Sequence, residues 1–150
     1  MGGSSDDGPR ATGPPDRQTL RVLERRLADD PLVSQTEFRP GSDEPRVLEG
    51  HVDTEPYPPS IDTARLDVRW FTTGDFTVHY VETTVTDDHW ECRWDRHPNG
   101  HNARLHFHRP PDGADTVDLE LPSRHPIDVL STVVAAVEDR IDQAWDDEIT

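Results

Sequence analysis

The sequence predicts an α+β fold: an antiparallel β-meander packed by a C-terminal amphipathic helix and an N-terminal helix. Two observations carry this prediction. In the middle of the chain, apolar and polar residues alternate over several short segments, which is the period of a half-buried strand. Near each end, apolar residues recur every three or four positions, which is the period of a helical stripe.

The N-terminal helix is predicted to begin at Asp16, a residue suited to cap the first turn. Leu20, Leu23 and Leu27 then form one apolar stripe. The helix is predicted to end near Asp29 and Asp30, just before Pro31. The first two strands are predicted over residues 33–39 and 46–54, on either side of a turn-rich segment.

The central segments 66–70, 76–80 and 90–94 alternate clearly, and short turns separate them, which favours an antiparallel meander. A loop is predicted over residues 96–102, then a strand around Leu105 and Phe107 and one more over 117–121. Cys92 is the single cysteine, so no intramolecular disulfide can form. Because it alternates with Trp90 and Trp94, it is predicted to be a small buried side chain.

The last helix is predicted to start at Pro126, since proline suits the first turn. Its apolar stripe consists of Ile127, Leu130, Val134, Val137, Ile141 and Trp145. The charged residues between them are predicted to face solvent: Asp128, Glu138, Asp139, Arg140 and Asp142.

The length of 150 residues indicates one domain. Residues 1–15 are rich in Gly, Ser, Asp and Pro and are predicted to be a disordered tail. The folding unit is predicted over residues 16–145, and residues 146–150 form an acidic tail.

The charge balance is strongly acidic, with 31 Asp and Glu against 15 basic residues, all of which are arginine. Such a surface suits a cytoplasm rich in KCl, where the Debye length falls to roughly 3 Å at 1 M salt and self-repulsion is screened. No apolar run is long enough to cross a membrane and no signal pattern is present, so the protein is predicted to be cytoplasmic.

Histidine and arginine are concentrated between residues 96 and 109, and this segment is the best candidate for chemistry. It contains His97, His101, His106, His108, Arg96, Arg104 and Arg109. His106 and His108 are two apart, so on a strand their rings project from the same face. The predicted loop with His97 and His101 is expected to curl back over that face.

Three interpretations of this segment remain open. Paired histidines can exchange protons while arginines hold a phosphate, which suits metal-free cleavage of RNA through its 2′-hydroxyl. Alternatively, His97, His106 and His108 bind Zn²⁺ or a similar divalent ion, with Asp95 or Glu91 as a further ligand. In the third interpretation, these side chains are a solvated surface that supplies counter-charges.

The order of motifs around this segment resembles the TumE-type family of toxin–antitoxin proteins and its haloarchaeal relatives. The matching residues are Arg93, Trp94, Asp95, His97, Pro98, His106 and His108, within a resemblance that covers residues 66–141. The sequence departs from the family in carrying Arg96 after Asp95 and His101 in place of an adjacent histidine pair.

The resemblance implies the toxin component of a type II module, neutralised by a helix-turn-helix antitoxin protein, with RNA or translation as the expected target. Under this hypothesis the protein is a ribonuclease that needs no cofactor. The expected catalytic residues are His106, His108, His97 and Asp95. The expected substrate-binding residues are Arg93, Arg96, Arg104 and His101.

Overall fold

The computed structural model describes residues 13–98 and 103–149 of the chain. Its elements follow one another as helix α1 (Arg17–Ala28), strands β1 (Val33–Arg39), β2 (Val47–Val52), β3 (Ile61–Trp70), β4 (Phe76–Thr84), β5 (His89–Pro98), β6 (Ala103–Arg109) and β7 (Asp115–Asp118), and helix α2 (Pro126–Ile149). The seven strands form one sheet in sequence order, and each neighbouring pair is antiparallel. The predicted α+β meander with two flanking helices is confirmed.

Helix α1 begins where the sequence places it. Asp16 is the N-cap, and its carboxylate accepts a hydrogen bond of 3.1 Å from the backbone N–H of Thr19. Leu20, Leu23 and Leu27 are fully buried, so one stripe of the helix enters the core. Of the tail predicted over 1–15, residues 1–12 lie outside the described part, and Pro15 forms a bridge with Phe71.

Glycine at position 50 lets α1 approach the sheet closely. A Cβ atom at this position would lie 3.1 Å from Leu27 Cδ1, which is tighter than ordinary van der Waals contact. Gly50 pairs with Leu66 of β3, whose side chain is buried. Helix α1 therefore packs on the face of the sheet that carries Leu66.

The second helix packs on this same face of the sheet. Val129, Leu130, Val133, Val137 and Ile141 of α2 join α1 and the apolar side of the strands in a single buried cluster. The other face carries mainly polar side chains, with Val81 as an exception, and in the described part of the chain neither helix covers it. Such one-sided burial is common for antiparallel sheets.

Arg140 does not face solvent as the helical pattern predicted; it is 8% exposed. Its Nε and Nη2 atoms each donate a hydrogen bond of 2.8 Å to the two carboxylate oxygens of Glu82, which is fully buried on β4. Its guanidinium also lies 3.8 Å from the ring centroid of Trp90. The prediction was wrong because periodicity cannot register a partner on another element.

Several strand boundaries and one helix end also differ from expectation. Strand β3 begins at Ile61 and β4 ends at Thr84, whereas the alternation indicated 66–70 and 76–80. The segment 96–98, predicted as part of a loop, continues β5 as far as Pro98. The last strand covers Asp115–Asp118, where residues 117–121 were expected. Helix α2 continues to Ile149, and Trp145 is 43% exposed, with its indole N–H donating a bond of 2.8 Å to the Pro56 carbonyl.

Replacing Arg140 by alanine should lower the free energy of unfolding by about 3–5 kcal/mol, because Glu82 would keep a buried charge without its partner. Urea titration at fixed KCl concentration measures this difference. The control is Arg109→Ala, which removes an exposed ion pair with Asp115 and should cost less than about 1 kcal/mol. Equal losses in the two variants would contradict the role assigned to Arg140.

Candidate functional site

The candidate site lies on the uncovered face of the sheet, where β5 and β6 pair. Asp95 is opposite His106, and Arg93 is opposite His108, in the antiparallel register. Side chains directly opposite one another in antiparallel strands have Cβ atoms only about 5 Å apart. Alternation along two strands therefore brings together residues that are 11 to 15 positions apart in sequence.

Asp95 is the centre of this group and is 5% exposed. Its Oδ2 atom accepts hydrogen bonds from Arg93 Nε at 3.1 Å and from His108 Nε2 at 3.0 Å. Its Oδ1 atom is buried and has no hydrogen-bond partner among the described residues, although His97 Nε2 lies 3.9 Å away. One carboxylate thus contacts an arginine and a histidine and faces a second histidine.

The contact with Asp95 fixes the orientation of the His108 ring. Since Nε2 donates to the carboxylate, the neutral ring carries its proton there and keeps its lone pair on Nδ1. The hydroxyl of Thr116 lies 3.2 Å from Nδ1. Arg93 Nη2 is 3.0 Å from Nε2 and 3.3 Å from Nδ1, so the guanidinium lies against the ring.

The pKa of His108 is held below its ordinary value of 6.5. Burial is the largest cause because it disfavours the charged ring, and the positive charge of Arg93 acts in the same direction. The carboxylate of Asp95 opposes both but does not reverse the shift. Near neutral pH the ring is therefore uncharged and able to accept a proton.

The rings of His97 and His106 stack beside this group, with centroids 4.8 Å apart and planes inclined by 14°. Each side chain is 18% exposed, so both remain reachable from solvent. His106 Nδ1 also lies 3.9 Å from Asp118 Oδ1 on β7. The two histidines meet because β5 continues through His97. His97 therefore reaches this face from a strand and not, as predicted, from a loop that curls back over it.

The remaining predicted site residues are placed differently. Arg96 lies on the helix-bearing face, where its Nη1 donates a bond of 2.9 Å to Asp75 Oδ1, and the structure does not bring it to the histidines. Arg104 is opposite His97 in the register, but its side chain is outside the described part. His101 also lies outside the described residues.

His79 extends the polar face towards β4. It lies opposite Arg93 in the register, and its Nε2 atom is 2.8 Å from Glu91 Oε1. The side chains in this pair are 30% and 31% exposed. His79 therefore borders the site, and its ring is held by Glu91.

Thr116 is a neighbour of His108 that the sequence pattern did not reveal.

The alternative metal set predicted from the sequence was His97, His106 and His108. Among residues 13–98 and 103–149, one group of at least three potential ligands has its ligand atoms within 4.8 Å of one another: Glu37, Glu49 and His51. These three residues lie on β1 and β2, and no sequence motif indicated them. The predicted histidine set does not form such a group.

A cavity of about 180 Å³ lies on the opposite face, between the sheet and α2. Its walls are mainly aromatic and aliphatic and are formed by Tyr80, Trp90, Cys92, Trp94, Phe107, Ala136, Val137, Asp139, Arg140 and Gln143. Cys92 is buried as predicted, and burial raises the pKa of its thiol to about 12. A thiol that stays protonated is a poor nucleophile.

We expect the ring of His108 to titrate with a midpoint below 6.5, the ordinary value. Replacing Arg93 by glutamine should raise this midpoint, because a nearby positive charge is removed, whereas Asp95→Asn should lower it further. Histidine ring resonances followed by NMR over pH give all three values. Arg65→Gln, on β3, is the matched control and should leave the midpoint unchanged; a shift in the opposite direction in Arg93→Gln would contradict the assignment.

The same shift predicts how stability depends on pH. A histidine whose pKa is lower in the folded state than in the unfolded state contributes stability above the unfolded value, and this contribution is lost as pH falls through the folded value. Wild-type protein should therefore lose stability relative to His108→Gln as the pH falls below about 6.5. Urea titrations at pH 7.5 and at pH 5 measure the difference, and a pH-independent gap would contradict it.

Comparison with known proteins agrees with the resemblance. The family model described as Toxin TumE matches residues 23–141, which is well over half of the chain. No curated protein and no solved structure matches the sequence. Among the described residues, no helix is long and apolar enough to cross a membrane. The family suggests a toxin function and implies an antitoxin partner, and this chain belongs to the TumE toxin family.

Proposed function

We propose that this protein is the toxin of a type II toxin–antitoxin module and that it cleaves RNA without a metal ion. The observation that carries the proposal is the Asp95–His108 pair in contact with Arg93, beside the stacked rings of His97 and His106. An oriented neutral histidine, a second histidine and an arginine are the groups that transesterification of RNA requires.

In the proposed mechanism His108 is the general base. Asp95 fixes the ring through Nε2, and the Nδ1 lone pair accepts the proton of the ribose 2′-hydroxyl. The 2′-oxygen then forms a bond to phosphorus while the bond from phosphorus to the 5′-oxygen breaks. The products are a 2′,3′-cyclic phosphate and a free 5′-hydroxyl, so atoms and charge balance.

The general acid is assigned to His106, supported by the stacked ring of His97. His106 and His108 are two residues apart on one face of a strand, a separation of roughly 6.5 Å along the backbone. A phosphodiester can lie between two such rings, with the base at its 2′ side and the acid at its 5′ side. His106 would donate the proton that the 5′-oxygen needs as it leaves.

Arg93 is the proposed phosphate contact. Its side chain is 41% exposed, so the guanidinium can face solvent while its Nε atom stays bonded to Asp95. Three other residues are not assigned to phosphate binding here: Arg104 and His101 stay predictions, and Arg96 would have to leave Asp75 and the other face to contact substrate. The proposal therefore assigns phosphate binding to Arg93 first.

The site and the environment together define the assay. The net charge of −16 suits a cytoplasm rich in KCl, which we take as the setting of the proposed activity. Contacts to phosphate weaken as salt rises, because the gain from counterion release becomes smaller. High KCl weakens RNA binding, whereas low KCl removes the screening that the acidic chain needs to stay folded. Assays over a range of KCl concentrations therefore separate loss of RNA binding from loss of folding.

Purified protein should cleave RNA in molar KCl in the presence of EDTA and leave 2′,3′-cyclic phosphate ends. The double variant His106→Ala/His108→Ala should lose at least about 100-fold in rate, the usual contribution of acid–base groups. His79→Ala is the matched control, since it removes an imidazole from the same face and should retain activity. Cleavage abolished by EDTA would contradict the metal-free mechanism; if EDTA also abolishes cleavage by a His51→Ala variant, metal binding by His97, His106 and His108 is favoured.

Expression of the chain alone should arrest growth, and the adjacent gene is expected to encode the helix-turn-helix antitoxin that relieves the arrest. Viable counts after induction, with and without this second gene, measure both effects. The double histidine variant should not arrest growth, provided that circular dichroism shows it folded. Arrest by a folded double variant would contradict the assigned site while leaving the toxin assignment intact.

A further inference from the structure

A second cluster of metal-ligand side chains lies on the uncovered face, at the other end of the sheet. Glu37 of β1 is directly opposite Glu49 of β2, and His51 follows two residues after Glu49 on the same face. The three residues belong to a local hairpin, so their relative positions are set by the antiparallel register.

The distances between these side chains fit coordination of one ion. His51 Nε2 lies 3.2 Å from Glu49 Oε1 and 3.7 Å from Glu37 Oε1. Ligand atoms bound to a tetrahedral zinc ion at about 2.0–2.1 Å are roughly 3.4 Å from one another. The observed separations lie on either side of that value.

The His51 ring nitrogen is an independent indication of a ligand. Nε2 is buried and has no hydrogen-bond partner among the described residues, even though the side chain as a whole is 40% exposed. A buried polar atom without a hydrogen-bond partner destabilises the folded state. Because this atom faces two carboxylates without hydrogen-bond geometry, a cation placed between them would satisfy all three groups.

The local charge also favours a cation. Glu37 and Glu49 lie opposite each other, and like charges in this position destabilise a sheet. Arg39 compensates part of this repulsion, since its Nε atom donates a bond of 2.7 Å to Glu49 Oε2. Arg39 Nη2 also donates a longer bond of 3.3 Å to Glu49 Oε1, and this oxygen faces His51, with Glu37 as the second carboxylate.

We propose that Glu37, Glu49 and His51 form a binding site for a divalent transition-metal ion such as Zn²⁺. Two carboxylate oxygens and one imidazole nitrogen would supply three ligands, and the exposed Glu37 side would leave a position open to water. The site is separate from Asp95: three steps between strands, from β2 to β5, amount to roughly 14 Å.

Titration of the full-length, EDTA-treated protein with Zn²⁺ by calorimetry tests this site directly. The histidines of the candidate active site could also bind zinc, so the titration uses the His106→Ala/His108→Ala background. We expect one ion bound per chain in this background. Adding His51→Ala should weaken binding at least about tenfold, since loss even of an outer contact costs that much.

Two further variants decide the outcome. Glu37→Gln removes an exposed ligand with little risk to folding and should also weaken zinc binding, whereas His79→Ala should leave it unchanged. Absence of zinc binding in the background protein, or equal dissociation constants in all variants, would overturn the proposal. Since no RNA is present, either result is independent of whether the protein is a ribonuclease.

Discussion

The ion pair between Glu82 and Arg140 fixes the position of α2 on the sheet. Glu82 is fully buried, and its Oε2 atom also accepts a bond of 2.6 Å from the hydroxyl of Tyr80, which is hydrogen-bonded to Tyr57. Burial by itself lowers the pKa of Arg140, but the bonds and charge of Glu82 more than offset this and raise it above its ordinary value. Arg140 thus stays charged, and a charged group held by two hydrogen bonds inside a core tolerates little displacement.

The location of this pair determines which face of the sheet is available for function. Because Glu82 and Trp90 are opposite each other on the helix-bearing face, α2 must lie across β4 and β5 on that side. Helix α1 packs over Gly50 on the same side. Alternation then sends most charged and imidazole side chains of the strands to the opposite face, which neither helix covers in the described part of the chain.

How much of this could be predicted from the sequence depended on whether the signal was local. Leu20, Leu23 and Leu27 predicted the buried stripe of α1 because helical period is a property of neighbours in sequence. His106 and His108 were predicted to share a face for the same reason. The predictions for the exposure of Arg140 and for the end of β5 were wrong, because each depends on a residue of another strand. Arg140 is buried by its bond to Glu82, and β5 is extended by the pairing of His97 with Arg104.

The candidate sites show the same difference between local signals, which the sequence reveals, and contacts between strands, which it does not. The sequence indicated the histidines by their concentration in one segment, and the family resemblance added Arg93 and Asp95. It could not show that Arg96 points to the other face, because that depends on the extent of β5. The sequence did not indicate the group of Glu37, Glu49 and His51, because its members are spread over two strands and form no motif. Only the register of β1 on β2 brings them together.

The separation of the two groups on one face bears on how the protein could work. At Asp95 the carboxylate meets an arginine and a histidine whose pKa is lowered, and a neutral ring of this kind can take a proton. At Glu49 two carboxylates face one imidazole, and Arg39 offsets one of the two negative charges, so one negative charge remains and a cation is favoured. A ribonuclease site that uses its own side chains as acid and base needs no ion within it. A metal ion roughly 14 Å away would be too far to contact the reacting phosphate, and it would instead stabilise the hairpin of β1 and β2.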